Sequence, residues 1–346
     1  MRRKESREQV RCHMMPPCEA IRFKPAVPLL EIADLQVSYG GVTVLDGIDL
    51  AVGCGEVVGI VGESGSGKST LISAILGVLR NGASIDAGKV VYDDVDLIQL
   101  DEECMSAYRG SQISMVCQNP MSTFSPVRTL RAQFVEAMQS CSDISRSEAV
   151  KRAAGLLESL GVRNVDRVLA GYSFELSGGM CQRAALAIVM SMSPQLLLAD
   201  EPTSALDVTM QAQVVKEMMK LRQDFGTAII MVTHNMGVAY YMADTIAVLY
   251  AGRIVELGSS MQIRSRPHHP YTRALIKAIP QFGTKAIQGI ATDLQKTESS
   301  QTGCCFASRC SWCDDACSSQ PIKLIEVEKG HFSECVHAYI DGRPAV

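Results

Sequence analysis

Apolar and polar residues alternate from Leu30 to Tyr39, with Leu30, Ile32, Leu35 and Val37 at the recurring positions, and less cleanly from Val42 to Leu50. A period of two puts one face of a strand on a core and the other in water, so both stretches predict half-buried antiparallel strands. Farther along, the apolar residues run without interruption at Val57 to Val61, Leu196 to Ala199, Ala228 to Val232 and Ile246 to Leu249. Such runs predict strands covered on both faces. Between them the spacing is helical, over Lys68 to Leu79 and Val208 to Phe225, the latter closed by Gly226 as a C-cap. The pattern is that of an α/β core with an antiparallel edge.

From about residue 125 to 187 the strand pattern stops. Ser145 to Glu148 reads as a capping box opening a helix with Ala149, Val150, Ala153, Leu156, Leu157 and Leu160 on its apolar face, ended by Gly161. A helical insertion in the α/β core follows. Residues 1 to about 28 carry charge and Pro16, Pro17, Pro25 and Pro28 without periodicity, which predicts a disordered arm; Met14 and Met15 are alternative starts to Met1. Past about Met261 come a Pro/His-rich segment and a Cys-rich tail, and no internal repeat is visible.

Composition narrows the class. A chain of 346 residues, 47% hydrophobic and 20% charged, has enough apolar material for a soluble globular protein of one large or two ordinary domains. A net charge of -4 argues neither for a nucleic-acid partner nor for an anionic membrane surface. No apolar run reaches bilayer-spanning length, and the basic opening is followed by Glu5 and Glu8 rather than an apolar stretch, so the expected compartment is the cytosol. Of 13 cysteines, those from Cys12 to Cys181 are scattered, while Cys304, Cys305, Cys310, Cys313, Cys317 and Cys335 crowd together. Scattered cytosolic thiols are reduced and inert as a rule; the terminal crowd asks for its own explanation.

The chemistry begins at Gly62-Glu63-Ser64-Gly65-Ser66-Gly67-Lys68-Ser69-Thr70, which follows a strand and opens a helix. Small residues let backbone N–H groups curl around phosphates, and the helix N-terminus adds its positive end. Lys68 would bridge the β- and γ-oxygens, and the Ser69 hydroxyl would sit on magnesium. A magnesium-side carboxylate is offered by Asp200, at the end of the apolar run from Leu196, and Glu201 beside it is placed to orient and polarise an attacking water.

With Leu176-Ser177-Gly178-Gly179-Met180-Cys181-Gln182-Arg183 lying between these two motifs, the chain resembles the ABC ATPases. The resemblance implies a P-loop NTPase nucleotide-binding domain of the ABC type, with an antiparallel β subdomain, a helical insertion and a small Cys-rich C-terminal extension. It implies ATP and Mg2+ as cofactors. ATP would be sandwiched in a head-to-tail dimer, in which Ser177, Gly178, Gly179 and Gln182 serve the opposite subunit's nucleotide. By the same resemblance Tyr39 stacks on adenine, Gln118 senses magnesium and the membrane partner, Asp207 communicates across the dimer, and His234 contacts the γ-phosphate. Gly62, Ser64, Gly65, Gly67, Lys68, Ser69 and Thr70 form the cradle. Asn119 and Asn235 stand where acids are common in the family and remove negative charge near the phosphates.

The segment Gln118 to Pro126, the run Tyr250 to Glu256 and His269-Pro270-Tyr271-Thr272-Arg273-Ala274-Leu275 are similar to the oligopeptide/dipeptide/nickel importer branch, although Phe124 and Ser125 replace its usual Leu-Asn. Met180 favours the D-type subunit. The implied domains are an arm over 1–28, an ATPase domain over 29–260 with its helical subdomain at about 125–187, and an extension over 261–346. The implied partners are two transmembrane permeases, a second ATPase (an F-type heterodimer, with a homodimer as alternative) and, indirectly, an extracytoplasmic binding protein, with no nucleic acid. The implied place is the cytoplasmic face of the cell membrane. Peptide, nickel and metallophore remain open as cargo. In the tail, Cys304, Cys310, Cys317 and Cys335 match the branch's cysteine pattern, associated with an iron–sulfur cluster of the 4Fe–4S type. Zn2+ is the alternative, since both centres accept four thiolates and Cys310 and Cys313 form a chelating pair; disulfides or idle thiols are the bland alternative.

Overall fold

The computed structural model describes residues 27–204, 206–278, 303–319, 322–340 and 343–344. Of the arm expected over residues 1–28, residues 1–26, with the alternative starts, lie outside the described residues. Strands β1 (Leu30–Tyr39) and β2 (Val42–Val52) pair antiparallel as the alternation predicts. They are followed by β3 (Val57–Val61), α1 (Lys68–Ile75), β4 (Ala83–Tyr92), β5 (Val95–Asp96) and α2 (Glu102–Tyr108). β4 joins the first sheet beside β1, giving the order β2-β1-β4-β5. The first helix stops at Ile75, short of the expected Leu79, because Gly77 takes a left-handed φ of 63° just after it.

The second sheet holds the site. After β6 (Ile113–Val116) come the helices α3 (Leu130–Cys141), α4 (Arg146–Ser159), α5 (Val165–Ala170) and α6 (Gly178–Met192), the expected helical insertion. Ser145 caps α4 by accepting from the Glu148 amide at 3.2 Å. Then follow β7 (Leu196–Asp200), α7 (Val208–Phe225), β8 (Ala228–Thr233), α8 (Met236–Met242), β9 (Thr245–Tyr250), β10 (Arg253–Ser259), α9 (Ser260–Ser265) and α10 (Pro270–Lys277). Strands β9, β3, β8, β7 and β6 lie side by side and parallel. The uninterrupted apolar runs have a direct reason here. Val58, Ile60, Leu198 and Ile230 point into a core shared with the antiparallel sheet and α1, while Val57, Val61, Leu197 and Ile229 point into a core shared with the helical insertion. Both faces are dry.

The C-terminal segment continues this sheet. Past the short helix α11 (Ala316–Ser319), the hairpin β11 (Ile325–Glu328) and β12 (His331–Ser333) adds to β10, with Glu256 opposite Ser333 and Leu257 opposite Phe332. Among the described residues no helix is long and apolar enough to cross a membrane.

Candidate functional site

The loop from Gly62 to Gly67 leaves β3 at the carboxyl edge of the parallel strands and delivers the chain into α1. Its backbone leaves no room for side chains at two points. A Cβ on Gly62 would stand 2.2 Å from the Leu249 carbonyl oxygen, and Gly67, at φ 103°, would put one 2.7 Å from Leu45 Cδ2. Lys68 is buried and its ammonium folds back on the loop, donating to the carbonyls of Gly62 at 2.9 Å and Glu63 at 2.6 Å. Burial pulls the Lys68 pKa below its ordinary value, while the carboxylates of Glu201, Asp200 and Glu63 pull it back up. Ser69 lies exposed beside it.

Opposite, Asp200 ends β7 and is buried, which pushes its carboxyl up, against the Ser69 hydroxyl and the Lys68 charge that favour the ionised form. Its Oδ1 is buried with no hydrogen-bond partner. An unpaired buried carboxylate oxygen beside a serine hydroxyl is a donor set of hard oxygens, and it fits magnesium.

Three residues expected to be catalytic converge from three strand ends. Glu201 Oε2 accepts from Gln118 Nε2 at 3.1 Å, and Oε1 lies 3.1 Å from His234 Nδ1. Gln118 follows β6, Glu201 follows β7 and His234 follows β8, so parallel strands place all three on one edge. Glu201 itself sits at φ 48°, a left-handed conformation that costs a non-glycine residue about 1 kcal/mol or more and is held here by its amide donating to the Val232 carbonyl. The adjoining cleft is lined by Glu201, Thr203, Ser204, Gln211, Thr233, His234 and Asn235.

Other expected residues lie apart from this cluster. Ser177 caps α6, accepting from the Met180 amide at 3.3 Å, and with Gly178 it faces solvent. Among the described residues no hydrogen bond joins the start of α6 to residues 62–70. Gln182 is turned inward: it is buried, and its amide donates to the Pro202 carbonyl, tying α6 to the loop after Glu201. Asp207 caps α7 through the Met210 amide at 3.0 Å. Tyr39 is half-buried at the end of β1, paired with Val42 and Ala83. Ser64 and Gly65 are exposed on the loop, and Thr70 is half-buried in the first turn of α1.

Two contacts had no signal in the motif. The Tyr271 hydroxyl, buried on α10, accepts from the Glu63 amide at 2.9 Å. The Arg309 guanidinium grips the Glu63 carboxylate with both arms, at 2.9 and 3.0 Å, and lies over Tyr250 and Phe306. Glu63 occupies a position where the phosphate-loop pattern accepts any residue, and Arg309 sits among cysteines, so neither invites notice alone.

Those cysteines are drawn together by the fold. Cys304, Cys317 and Cys335 are buried and Cys310 half-buried, with the Cys304 amide donating to the Cys317 carbonyl at 2.8 Å. Burial pushes the Cys304 thiol up to about 11 and the Cys335 thiol up to about 12, with Cys310 and Cys317 adding to both shifts. Among the described residues no three of the four sulfurs lie within 4.8 Å of one another. Cys317 instead shares a group with Asp314 and His337, one ligand atom of each lying within 4.8 Å of the others.

The comparisons agree with this picture. A family model described as ABC transporter matches residues 45–204, and one described as the oligopeptide/dipeptide transporter C-terminal region matches residues 255–317. The chain is 39% identical to a probable peptide ABC transporter ATP-binding protein, y4tR, of Sinorhizobium fredii, over 89% of this chain and 94% of that one. It is 36% identical to the oligopeptide transport ATP-binding protein AppD of Bacillus subtilis, over 89% and 96%. It is 35% identical to OppD of Salmonella typhimurium, over 86% and 90%. Among solved structures it is similar to the ATP-binding cassette MJ0796 in a dimeric post-hydrolysis state with ADP and phosphate, at TM-score 0.61 and 26% identity, covering 67% of this chain and 98% of that one.

Proposed function

The chain belongs to the ATP-binding subunits of ABC transporters, in the peptide-import branch, and on that premise we propose how its residues turn ATP hydrolysis into work on partner permeases. The observation that carries the reading is the meeting of Gln118, Glu201 and His234 beside the loop that holds Lys68. The loop amides and α1 receive the phosphates, and Lys68 exchanges its carbonyl partners for phosphate oxygens, which moves a buried charge onto its counter-charge. Ser69 and Asp200 would hold magnesium, with Gln118 near by; that ion supplies charge neutralisation at the β- and γ-phosphates. Glu201 takes the proton of the attacking water, and His234 orients the Glu201 carboxylate and meets the γ-phosphate. Tyr39 stacks on adenine.

The exposed α6 start, with Ser177, Gly178 and Gly179, has the small residues and unpaired amides to receive a γ-phosphate from a second ATPase subunit, either a copy or an F-type partner. Asp207 lies on the same loop-to-helix junction as Gln182's anchor at Pro202, so closure at the signature helix reaches Glu201 through protein contacts. The cargo class is oligopeptide or dipeptide, delivered by an extracytoplasmic binding protein, and the subunit works on the cytoplasmic face of the membrane. Cys304, Cys310, Cys317 and Cys335 would hold a 4Fe–4S cluster, which would cross-link the C-terminal segment.

Glu201→Gln is the direct test. Hydrolysis should fall at least about a hundredfold, the usual worth of a positioned base, while ATP binding persists and drives stable dimers on a sizing column. Hydrolysis at the normal rate would remove Glu201 from the role. For transport, the chain is recovered from detergent-solubilised host membranes. Recovery of two multi-span permeases with a peptide-binding protein supports the reading, and recovery of only soluble partners sinks it. Anaerobic purification should yield about four irons per chain, lost in Cys317→Ser; iron-free protein would end the cluster assignment.

A further inference from the structure

Away from the nucleotide site, Glu256 on β10 is fully buried and yet ringed by donors. It accepts from the backbone amides of His268 at 2.7 Å and His269 at 3.0 Å, and lies 2.8 Å from His331 Nε2. Two backbone N–H donors require its oxygens to accept, and His331 Nε2 at 2.8 Å is then the donor, so the His331 proton belongs on Nε2. That fixes the tautomer. His331 Nδ1 is then a bare lone pair, and it is buried with no partner. His268 stands beside it, ring centroids 4.8 Å apart, and its Nε2 is also buried without a hydrogen-bond partner. Glu328 closes the group: its Oε1 is 3.7 Å from His268 Nε2, and one ligand atom from each of His268, Glu328 and His331 falls within 4.8 Å of the others.

The geometry points to a second metal site, at which His268, His331 and Glu328 bind one divalent transition ion of the zinc class, with Glu256 holding His331 in the ligating tautomer. Two imidazoles and one carboxylate form a borderline donor set, which suits zinc and its neighbours and not the hard ions magnesium or calcium. A carboxylate behind a ligating imidazole is the usual arrangement at such centres, and it makes the ligand more basic. Ligands at about 2.0–2.1 Å from a tetrahedral ion stand about 3.4 Å apart, so the three side chains, which already bring a ligand atom each within 4.8 Å, close on the ion by rotation. The exposed Arg266, whose guanidinium reaches Glu328 Oε1 at 3.4 Å, would swing away into water. Room for the His331 ring is provided by Gly258 on β10, where a Cβ would stand 2.8 Å from its Cδ2. The fourth position faces the Glu328 side, where that side chain is 29% exposed and a water can enter. This ion would pin the β11–β12 hairpin to the segment entering α10, and it is distinct from the cysteine set.

Metal-stripped full-length chain titrated with Co2+ tests this, because nitrogen and oxygen ligands give visible d–d bands whereas thiolates add an intense ultraviolet charge-transfer band. We expect one equivalent of the first kind, displaced by Zn2+, and a Zn2+-dependent rise in melting temperature. Both should be lost in His268→Gln and in Glu328→Gln, and retained in Cys310→Ser. Glu256→Gln should weaken binding about 10–100-fold. Only thiolate-type absorption in the wild type would overturn the proposal, as would nitrogen/oxygen-type bands that persist in His268→Gln and Glu328→Gln. ATP binding by both variants checks that they are folded.

Discussion

Cutting the Arg309–Glu63 pair should loosen the phosphate loop from the C-terminal segment by a calculable amount. The two charged groups meet at 2.9 and 3.0 Å, with side chains 16% and 35% exposed. At a partly buried site a unit charge pair about 4 Å apart attracts by roughly 4 kcal/mol before desolvation is subtracted. Charge-assisted hydrogen bonds net about 1.5–3 kcal/mol, and the solvent reaching Glu63 lowers that to about 1–2 kcal/mol. Such a loss shifts the docked-to-undocked ratio about 5–30-fold. The Glu63 amide, which donates to the Tyr271 hydroxyl, reports on it directly: hydrogen exchange there should quicken by that factor in Arg309→Ala. A double-mutant cycle with Glu63→Ala should return a coupling of about 1–2 kcal/mol, and Arg309→Lys should restore less than half, since an ammonium cannot match a two-armed grip. A coupling below about 0.3 kcal/mol, or unchanged exchange at Glu63, would refute the reasoning.

Lys68→Ala removes the ammonium now held by two loop carbonyls and should weaken ATP binding about ten- to hundredfold, measured by equilibrium titration; near-normal affinity would mean that the amides alone suffice. Gly62→Ala drives a methyl into the Leu249 carbonyl at 2.2 Å and should abolish nucleotide binding, with unaltered binding as the contrary result. Burial pushes the Cys181 thiol up to about 11, so at pH 8 only about one in a thousand is thiolate and alkylation should be very slow, rising tenfold per pH unit up to that value. Mass-spectrometric labelling would show the exposed Cys54 and Cys313 modified before Cys181; rapid modification of Cys181 at pH 8 would contradict its burial.

Much of the nucleotide site was legible because its chemistry depends on short-range pattern. A glycine run between a strand and a helix can fold in few ways, and Asp200 and Glu201 end an apolar run that has to be a buried strand. Strands β3, β7 and β8 follow from runs such as Val57 to Val61 for the same reason. The strand β4 carries Asp86, Gly88 and Lys89, so its period is blurred and only pairing with β1 reveals it. Gln182 was expected at the nucleotide, and its inward turn to Pro202 depends on the packing of α6 against a loop twenty residues later. Glu256, His268 and His331 are ordinary residues in sequence; they become a cluster only because β12 pairs with β10.

That late pairing also bears on how the chain is made. Glu256 and His331 are 75 positions apart, and until the second emerges β10 is an open edge, a row of unpaired amides and carbonyls that can recruit a strand from another chain. At roughly 5–20 residues per second, synthesis leaves that edge uncovered for roughly 4–15 s. The hairpin therefore acts as a seal applied last, and a nascent or truncated chain without it is the form most exposed to aggregation.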